Sequence, residues 1–185
     1  MSNRVCPWWL GYLLIIPFRR WQYDPMKILR PYAREGMTVL EPGPGMGFFT
    51  IPLARLVGPS GRVVAVDLQP KMLAGLKRRA AKAGVLDRVD TRICAADTMA
   101  LEDLAGKVDF TLAFAMVHEL PNAERFFAEV ARASKPGASM LLAEPRGHVN
   151  DKKFDEELSA AAAAQFKLTA RPVIRRSYAA VLAKS

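Results

Sequence analysis

Cysteine and histidine are scarce in this chain, with two of each in 185 residues. Cys6 and Cys94 stand far apart, with no C-x-x-C and no metal-type spacing, so neither a disulfide framework nor a thiolate metal site is expected. A reduced, cytoplasmic chain is the default expectation. His118 and His148 alone make no metal-ligand cluster, so no metal is expected either. Spanning a bilayer takes about 20 apolar residues. The N-terminal run "WWLGYLLIIPF" (Trp8–Phe18) is too short for that. It is followed by "RRWQYDP" and not by a small-residue cleavage site, which argues against a secretion signal. Internal repeats are absent, and the only low-complexity stretch is the alanine run at 160–164.

Acid is missing where base is concentrated. Residues 167–185 hold five Lys/Arg and no Asp/Glu, and residues 1–36 hold six Lys/Arg against two acids. The stretch 37–166 carries sixteen of each, so the whole net charge of +9 sits at the two ends. A basic surface attracts nucleic acid, anionic membranes or acidic small molecules; basic ends also serve solubility alone. Composition leaves both readings open.

About half of the chain is hydrophobic (51%), enough for a core at this length. The expected organisation is an N-terminal helical extension, 1–36, and one domain, 37–185. Trp8–Phe18 reads as an amphipathic or buried helix ending at Arg19 and Arg20, where cations suit the helix dipole. Peripheral membrane contact is the minority reading.

Strands and helices alternate through the rest. Met37–Pro42 and the valine-rich Gly61–Asp67 read as buried strands. Gly47–Val57 reads as a helix with Pro52 near its start. Pro70–Gly84 opens with Pro and closes with Gly, the expected helix asymmetry. Arg88–Cys94 alternates as a strand. Lys107–Ala115 is near-continuously apolar, as for a central parallel strand. Asn122–Ser134 is an amphipathic helix stopped by "KPG"; Ala138–Glu144 is a strand; Asp151–Gln165 is a helix. "FKLTARPV" (166–173) and "SYAAVLAK" (177–184) leave no room for a helix between them and predict an antiparallel hairpin. The expected fold class is α/β: a Rossmann-like, doubly wound sheet of seven strands, mostly parallel, with an antiparallel C-terminal edge hairpin. In such sheets ligands bind beyond the carboxyl ends of the strands.

In "VLEPGPGMGFFT" (Val39–Thr50), Gly43, Gly45 and Gly47 follow the first strand and open the first helix. Glycines there permit positive φ and close approach of a ligand, and a helix start offers unpaired N–H groups to an anion. Asp67 ends the second strand and is placed to accept both hydroxyls of a ribose. It can also be read as a solvated aspartate capping the helix from Pro70. The dinucleotide fingerprint G-x-G-x-x-G would put glycine at 48, where Phe48 stands. No G-K-S/T follows, so a Walker-type loop is absent. Glu41 would repel a pyrophosphate but suit a cofactor with a positive amino group.

Taken in order, "VLEPGPGMGFF", "VVAVDLQPKML", "AAD" (Ala95–Asp97), "VDFTLAFAMVHEL" and "KPGASMLLAEP" resemble the successive motifs of class I S-adenosylmethionine-dependent methyltransferases. The resemblance runs from about Met37 to Glu144 and includes the closing hairpin. The nearest subgroup is the small-molecule enzymes of the ubiquinone/menaquinone-biosynthesis and arsenite type; an arsenite acceptor is disfavoured because it needs more thiols. The resemblance implies S-adenosyl-L-methionine as cofactor. It implies that Gly43, Gly45 and Gly47 line its methionine and ribose portion. Glu41 orients the turn or meets the amino group, Asp67 takes the ribose hydroxyls and Leu68 packs on adenine. Asp97 accepts from the adenine amino group beside the Ala96 backbone, and the backbone around Phe114 and Ala115 flanks the methionine arm. "DTMAL" also reads as a helix start, with Asp97 as its cap. Pro44, between two glycines, is a departure that stiffens the turn.

On the acceptor side, His118 follows the fourth strand in "MVHELP" and is the first candidate for a general base. A loop histidine bonding backbone is an equal reading. Glu144 ranks second as a catalytic candidate, with Glu119 after it. Trp8, Trp9, Tyr12, Trp21 and Tyr23 suggest an aromatic lid or packing on the sheet edge. If the sixth strand is parallel, Arg171, Arg175 and Arg176 stand near the mouth and favour a small anionic or amphiphilic acceptor. A nucleic-acid acceptor is the runner-up: base-modifying relatives carry an N/D-P-P-Y-type tetrad where this chain reads "AFAMVHEL". A non-catalytic cofactor-binding protein and a nicotinamide-dependent reductase complete the alternatives.

Overall fold

The computed structural model describes residues 23–185. The aromatic run Trp8–Phe18, and with it most of the expected lid, lies outside the described residues. The described chain falls into two compact units that meet in sequence at Cys94 and Ala95.

The first unit contains α1 (Pro25–Leu29), β1 (Thr38–Pro42), α2 (Thr50–Leu56), β2 (Arg62–Asp67), α3 (Pro70–Lys82) and β3 (Val89–Ile93). Its strands lie in the order β3-β2-β1, all parallel, with Val39 opposite Val63 and Val63 opposite Val89. Burial is nearly continuous along β1 and β2. That follows from their valine and leucine content, which suits parallel strands covered on both faces. Asp24 starts α1 by accepting the N–H groups of Met26 (3.0 Å) and Lys27 (3.2 Å). Helix α3 begins at Pro70 and buries Met72, Leu73, Leu76 and Ala80 along one face; Leu73 and Leu76 pack with Ala65 of β2. It closes where the N–H of Val85 reaches the Ala80 carbonyl at 3.0 Å. Helix α2 starts at Thr50 and not at the expected Gly47, because Gly47 has φ +83°, outside the right-handed helical region.

The second unit contains β4 (Val108–Phe114), α4 (Ala123–Ala133), β5 (Ser134–Pro145), α5 (Asp151–Ala163), β6 (Phe166–Ala170) and β7 (Ser177–Lys184). Its strand order is β4-β5-β7-β6, with β4 and β5 parallel and β7 antiparallel to both its neighbours. Strand β6 therefore runs parallel to β5. The C-terminal hairpin forms as expected, with the last strand, β7, inserted antiparallel between β5 and β6. The outer strand is β6, exposed at every residue after Phe166. Asn122 and Asn150 cap α4 and α5, accepting the N–H groups of Arg125 and Lys153 at 2.8 Å each.

Two local expectations are corrected. "KPG" does not separate α4 from the next strand: β5 starts directly at Ser134. Val108 pairs with Ser134 while Phe110 pairs with Ser139, so the proline segment bulges out of the ladder, where its missing N–H costs nothing. No helix follows Asp97; the chain runs as a loop to a short 3₁₀ turn, Glu102–Leu104. Phe110, Phe127, Phe154 and Met140 are wholly buried, and Phe154 stacks on Tyr178 with ring centroids 5.4 Å apart. All seven expected strands are present, three in the first unit and four in the second, with parallel pairing of β1–β2, β2–β3 and β4–β5 and antiparallel pairing at β7.

Candidate functional site

The glycine turn of the first unit has a braced side and an open one. Gly43 donates its N–H to the Val66 carbonyl at 2.8 Å, which ties the turn to β2. Gly43, Gly45 and Gly47 all have positive φ, at 65°, 55° and 83°. Helix α3 braces the turn from behind. A side-chain carbon added at Gly75 would lie 3.1 Å from Met46 Cγ, one at Gly47 would lie 2.3 Å from Leu76 Cδ1, and Arg79 donates to the Met46 carbonyl. Among the described residues, a carbon added at Gly45 meets nothing within 4 Å. The backbone at Gly45 is therefore uncovered by the described residues and braced from behind, the form of a cradle that a ligand's backbone-seeking groups can fill.

Two acids flank this cradle. Glu41, in β1, is 3% exposed and sits opposite Ala65. Asp67, at the carboxyl end of β2, is 8% exposed, and its Oδ1 accepts the Gln69 N–H at 2.9 Å. It is thus a buried acid whose carboxylate also orders the entry to α3, rather than a solvated one. Leu68 beside it is half-buried.

The second unit brings together His118, Glu144 and His148. Just past the end of β4, Ala115 has a φ of +57° that turns the chain sharply while its N–H bonds the Ala143 carbonyl at 2.7 Å. The turn then wraps the carboxylate of Glu144, which lies in the neighbouring β5 and has no solvent exposure. Glu144 Oε1 accepts the N–H groups of Met116 (3.2 Å) and Val117 (2.8 Å), and Oε2 bonds His118 Nδ1. Three such contacts satisfy the buried carboxylate, two through backbone N–H groups and one through the imidazole. On the other side of the ring, His118 Nε2 lies 3.3 Å from His148 Nδ1, with the two rings edge to face at 77°. Glu119 Oε1 is 3.9 Å from the same Nε2.

Charge sets the proton affinity of His118. Burial works against its charged form, but the hydrogen bond and charge of Glu144, then Glu119 and Glu157, outweigh it and raise its pKa above the ordinary value. Glu157, on α5, is 1% exposed, and neither of its oxygens has a hydrogen-bond partner among the described residues. Burial, then the charge of Glu144, pushes its pKa up to about 8. Glu157 therefore differs from Glu144 in having no donor to hold a charge on it.

Asp97 and Ala96 are exposed in the loop after β3. Asp97 Oδ2 lies 3.5 Å from Arg125 Nη1 of α4, and that arginine also reaches Glu129 Oε1 at 3.5 Å. Glu129 in turn accepts the N–H of Met99 at 2.7 Å. Arg171, Arg175 and Arg176 lie exposed around the β6–β7 turn, at the end of the sheet where Pro145 of β5 faces Ser177. Arg171 is 3.9 Å from Asp155. Sequence reasoning missed His148, Glu129, Glu157 and Arg79. For His148 a signal existed: "EPRGH" puts it just beyond the carboxyl end of a strand, the same placement that singled out His118. The other three sit inside helices whose periodicity says only which face is buried.

A family model described as a methyltransferase domain matches residues 33–176. The ubiquinone/menaquinone biosynthesis C-methyltransferase UbiE of Brucella canis is 28% identical over 141 residues, covering 75% of this chain and 52% of that protein. An arsenite methyltransferase of Halobacterium salinarum is 28% identical over 59% of this chain and 27% of its own length. The chain thus spans about half, or less, of the length of these curated relatives. Among solved structures, a SAM-dependent methyltransferase from Aquifex aeolicus matches with a TM-score of 0.85 at 26% identity, covering 97% of this chain and 98% of that one. The fold is also shared with a geranyl diphosphate C-methyltransferase from Streptomyces coelicolor, solved with S-adenosyl-L-homocysteine, at a TM-score of 0.74 and 15% identity over 88% of this chain.

Proposed function

This chain belongs to the methyltransferase-domain family, and from that premise we propose that it transfers a methyl group from S-adenosyl-L-methionine to a small molecule. The observation that carries the reading is the braced glycine turn whose Gly45 is uncovered by the described residues, together with the buried carboxylate of Asp67. An acid there suits ribose hydroxyls, and Glu41 suits a ligand with a positive amino group rather than a pyrophosphate. The residues present therefore fit the cofactor. When bound, it supplies an electrophilic methyl group on a sulfonium sulfur.

Gly43, Gly45 and Gly47 hold the methionine and ribose portion through their backbone, Asp67 accepts the ribose hydroxyls and Leu68 packs on adenine. In the second unit, Asp97, Ala96 and Ala115 are the further candidates for contact with the cofactor. Most of the rate enhancement in an in-line displacement comes from holding acceptor and methyl in line, a contribution of about 7–11 kcal/mol. For an acceptor that must lose a proton, the basic group lies in the cluster built on His118, where the Glu144 carboxylate stabilises positive charge on the ring. Glu144, sealed from solvent, acts through His118 as a positioning residue and not as a base in its own right. The exposed Arg171, Arg175 and Arg176, with the net charge of +9, favour an anionic or amphiphilic acceptor.

The test is a thermal shift with S-adenosyl-L-methionine on the wild type and on Asp67→Ala, followed by incubation with isotopically labelled cofactor and a metabolite extract. The wild type is expected to shift and Asp67→Ala to shift less, and one small anionic molecule is expected to gain the labelled methyl. No shift in the wild type rejects the cofactor. Label appearing in RNA instead replaces the small-molecule acceptor with a nucleic acid.

A further inference from the structure

His148 is assigned no part by the reading above, yet its geometry gives it one. It sits in a tight turn between β5 and α5, where the N–H groups of His148 (2.9 Å) and Val149 (3.0 Å) both bond the Pro145 carbonyl. Val149 is buried and Asn150 caps α5, so the turn is fixed on both sides. The imidazole is exposed at the carboxyl end of β5, the end of a parallel strand where ligands bind in this class of sheet.

The hydrogen-bond chain fixes the tautomer of each ring. Glu144 Oε1 accepts two backbone N–H groups, and Oε2, as a carboxylate oxygen, accepts from His118 Nδ1. Neutral His118 then carries its proton on Nδ1 and offers a lone pair at Nε2. That lone pair, 3.3 Å from His148 Nδ1, can only accept from it. Neutral His148 therefore carries its proton on Nδ1 as well and presents an unprotonated Nε2 on its far, exposed side.

We propose that His148 Nε2 is the proton-accepting atom that meets the methyl acceptor, with His118 behind it as the place where the positive charge comes to rest. This rests on the methyltransferase reading. The acceptor's proton goes to His148 Nε2, and the electron pair it leaves forms the bond to the methyl carbon as that carbon's bond to sulfur breaks, its pair going to sulfur. The proton on His148 Nδ1 passes to His118 Nε2, which leaves His148 neutral and His118 an imidazolium against the Glu144 carboxylate. After product leaves, the Nε2 proton of His118 returns to His148 Nδ1 and the Nε2 proton of His148 goes to water. The groups around the charged ring are arranged for this. Glu119 comes from its own turn, Glu144 from β5, and Glu157 with its neighbour Lys153 from α5; Arg146 precedes the His148 turn. Their net effect raises the proton affinity of His118.

Imidazole ¹⁵N NMR on the full chain tests the tautomers with no need of an acceptor. With both rings neutral, each is expected as Nδ1–H with unprotonated Nε2. In Glu144→Gln the side-chain amide donates to His118 Nδ1, so both rings are expected to switch to Nε2–H, with the fold checked by circular dichroism. A wild-type His148 protonated at Nε2, or no switch in Glu144→Gln, overturns the proposal. Labelled S-adenosyl-L-methionine with a metabolite extract tests the chemistry. His148→Gln is expected to bind the cofactor as the wild type does and to transfer label on the order of 100-fold more slowly. Unchanged transfer overturns the role of His148. A wild type that does not bind the cofactor rejects the methyltransferase reading instead, while the tautomer result still decides the relay.

Discussion

Glu129 Oε2 accepts the backbone N–H of Met99 at 2.7 Å across 30 residues of sequence, and both residues are buried. This one bond pins the loop that carries Ala96 and Asp97 to helix α4, and Arg125 spans from Glu129 to Asp97 on the outside. The loop has no regular structure of its own, so its shape depends on that carboxylate.

Glu129→Ala is therefore expected to cost about 1–3 kcal/mol of stability, because the Met99 N–H is left buried without a partner. It is also expected to weaken S-adenosyl-L-methionine binding. Asp97→Ala, at an exposed site, is expected to weaken binding with stability unchanged. Urea unfolding and calorimetric titration of the two variants separate the effects; equal stability loss in both counts against the assignment.

The glycine turn gives a second contrast. Gly45→Ala adds a carbon that meets none of the described residues, at φ +55°, so its strain is only the positive φ, about 1–2 kcal/mol. Its methyl occupies the cradle, and cofactor binding should fall far more than stability. Gly47→Ala adds the same strain at φ +83° and drives into Leu76, so its stability should fall further. Leu76→Ala in the Gly47→Ala background is expected to relieve only the clash. Melting temperatures and cofactor affinities of Gly45→Ala and Gly47→Ala should rank in opposite orders.

Much of this was legible in the sequence for a physical reason. Valine and leucine runs bounded by Gly, Pro and Asp mark β1, β2 and β4. Pro70 and Gly84 mark the ends of α3, and the glycine turn with Asp67 marks the cradle, because each is a local requirement written in local residues. The failures came from long-range contacts. The loop that takes the place of a helix after Asp97 has its Met99 N–H held by Glu129, 30 residues away. Whether "KPG" interrupts a strand is decided by the bulged register with β4. The pairing of His118 with His148 spans 30 residues and depends on the parallel alignment of β4 and β5.

Glu157 gives a prediction in pH. A carboxyl that ordinarily titrates at 4.5 and here at about 8 keeps, in the folded state, a proton that the unfolded chain has already released. Folding stability therefore declines as pH rises from about 4.5, and the whole penalty is present above about 8. Glu157→Gln mimics the protonated acid and removes this dependence. The variant should match the wild type near pH 5 and exceed it at pH 9, by no more than about 4 kcal/mol. Urea unfolding at the two pH values checks it; a constant difference would exclude a neutral Glu157.

The β6–β7 turn sets how the protein yields to a protease. Arg171 precedes Pro172, a bond that trypsin-like enzymes cut poorly, whereas Arg175 and Arg176 are exposed and followed by Arg176 and Ser177. Nicking there frees the segment from 177 to 185 covalently. Strand β7 nevertheless lies between two others, in register with β5 from Ser139↔Ala183 to Pro145↔Ser177 and with β6 on its far side. The nicked chain should run as two bands under denaturing conditions and elute as one species under native ones. A short peptide clasped on both edges would then make this a split protein, separable by denaturant and able to reassemble from its two pieces.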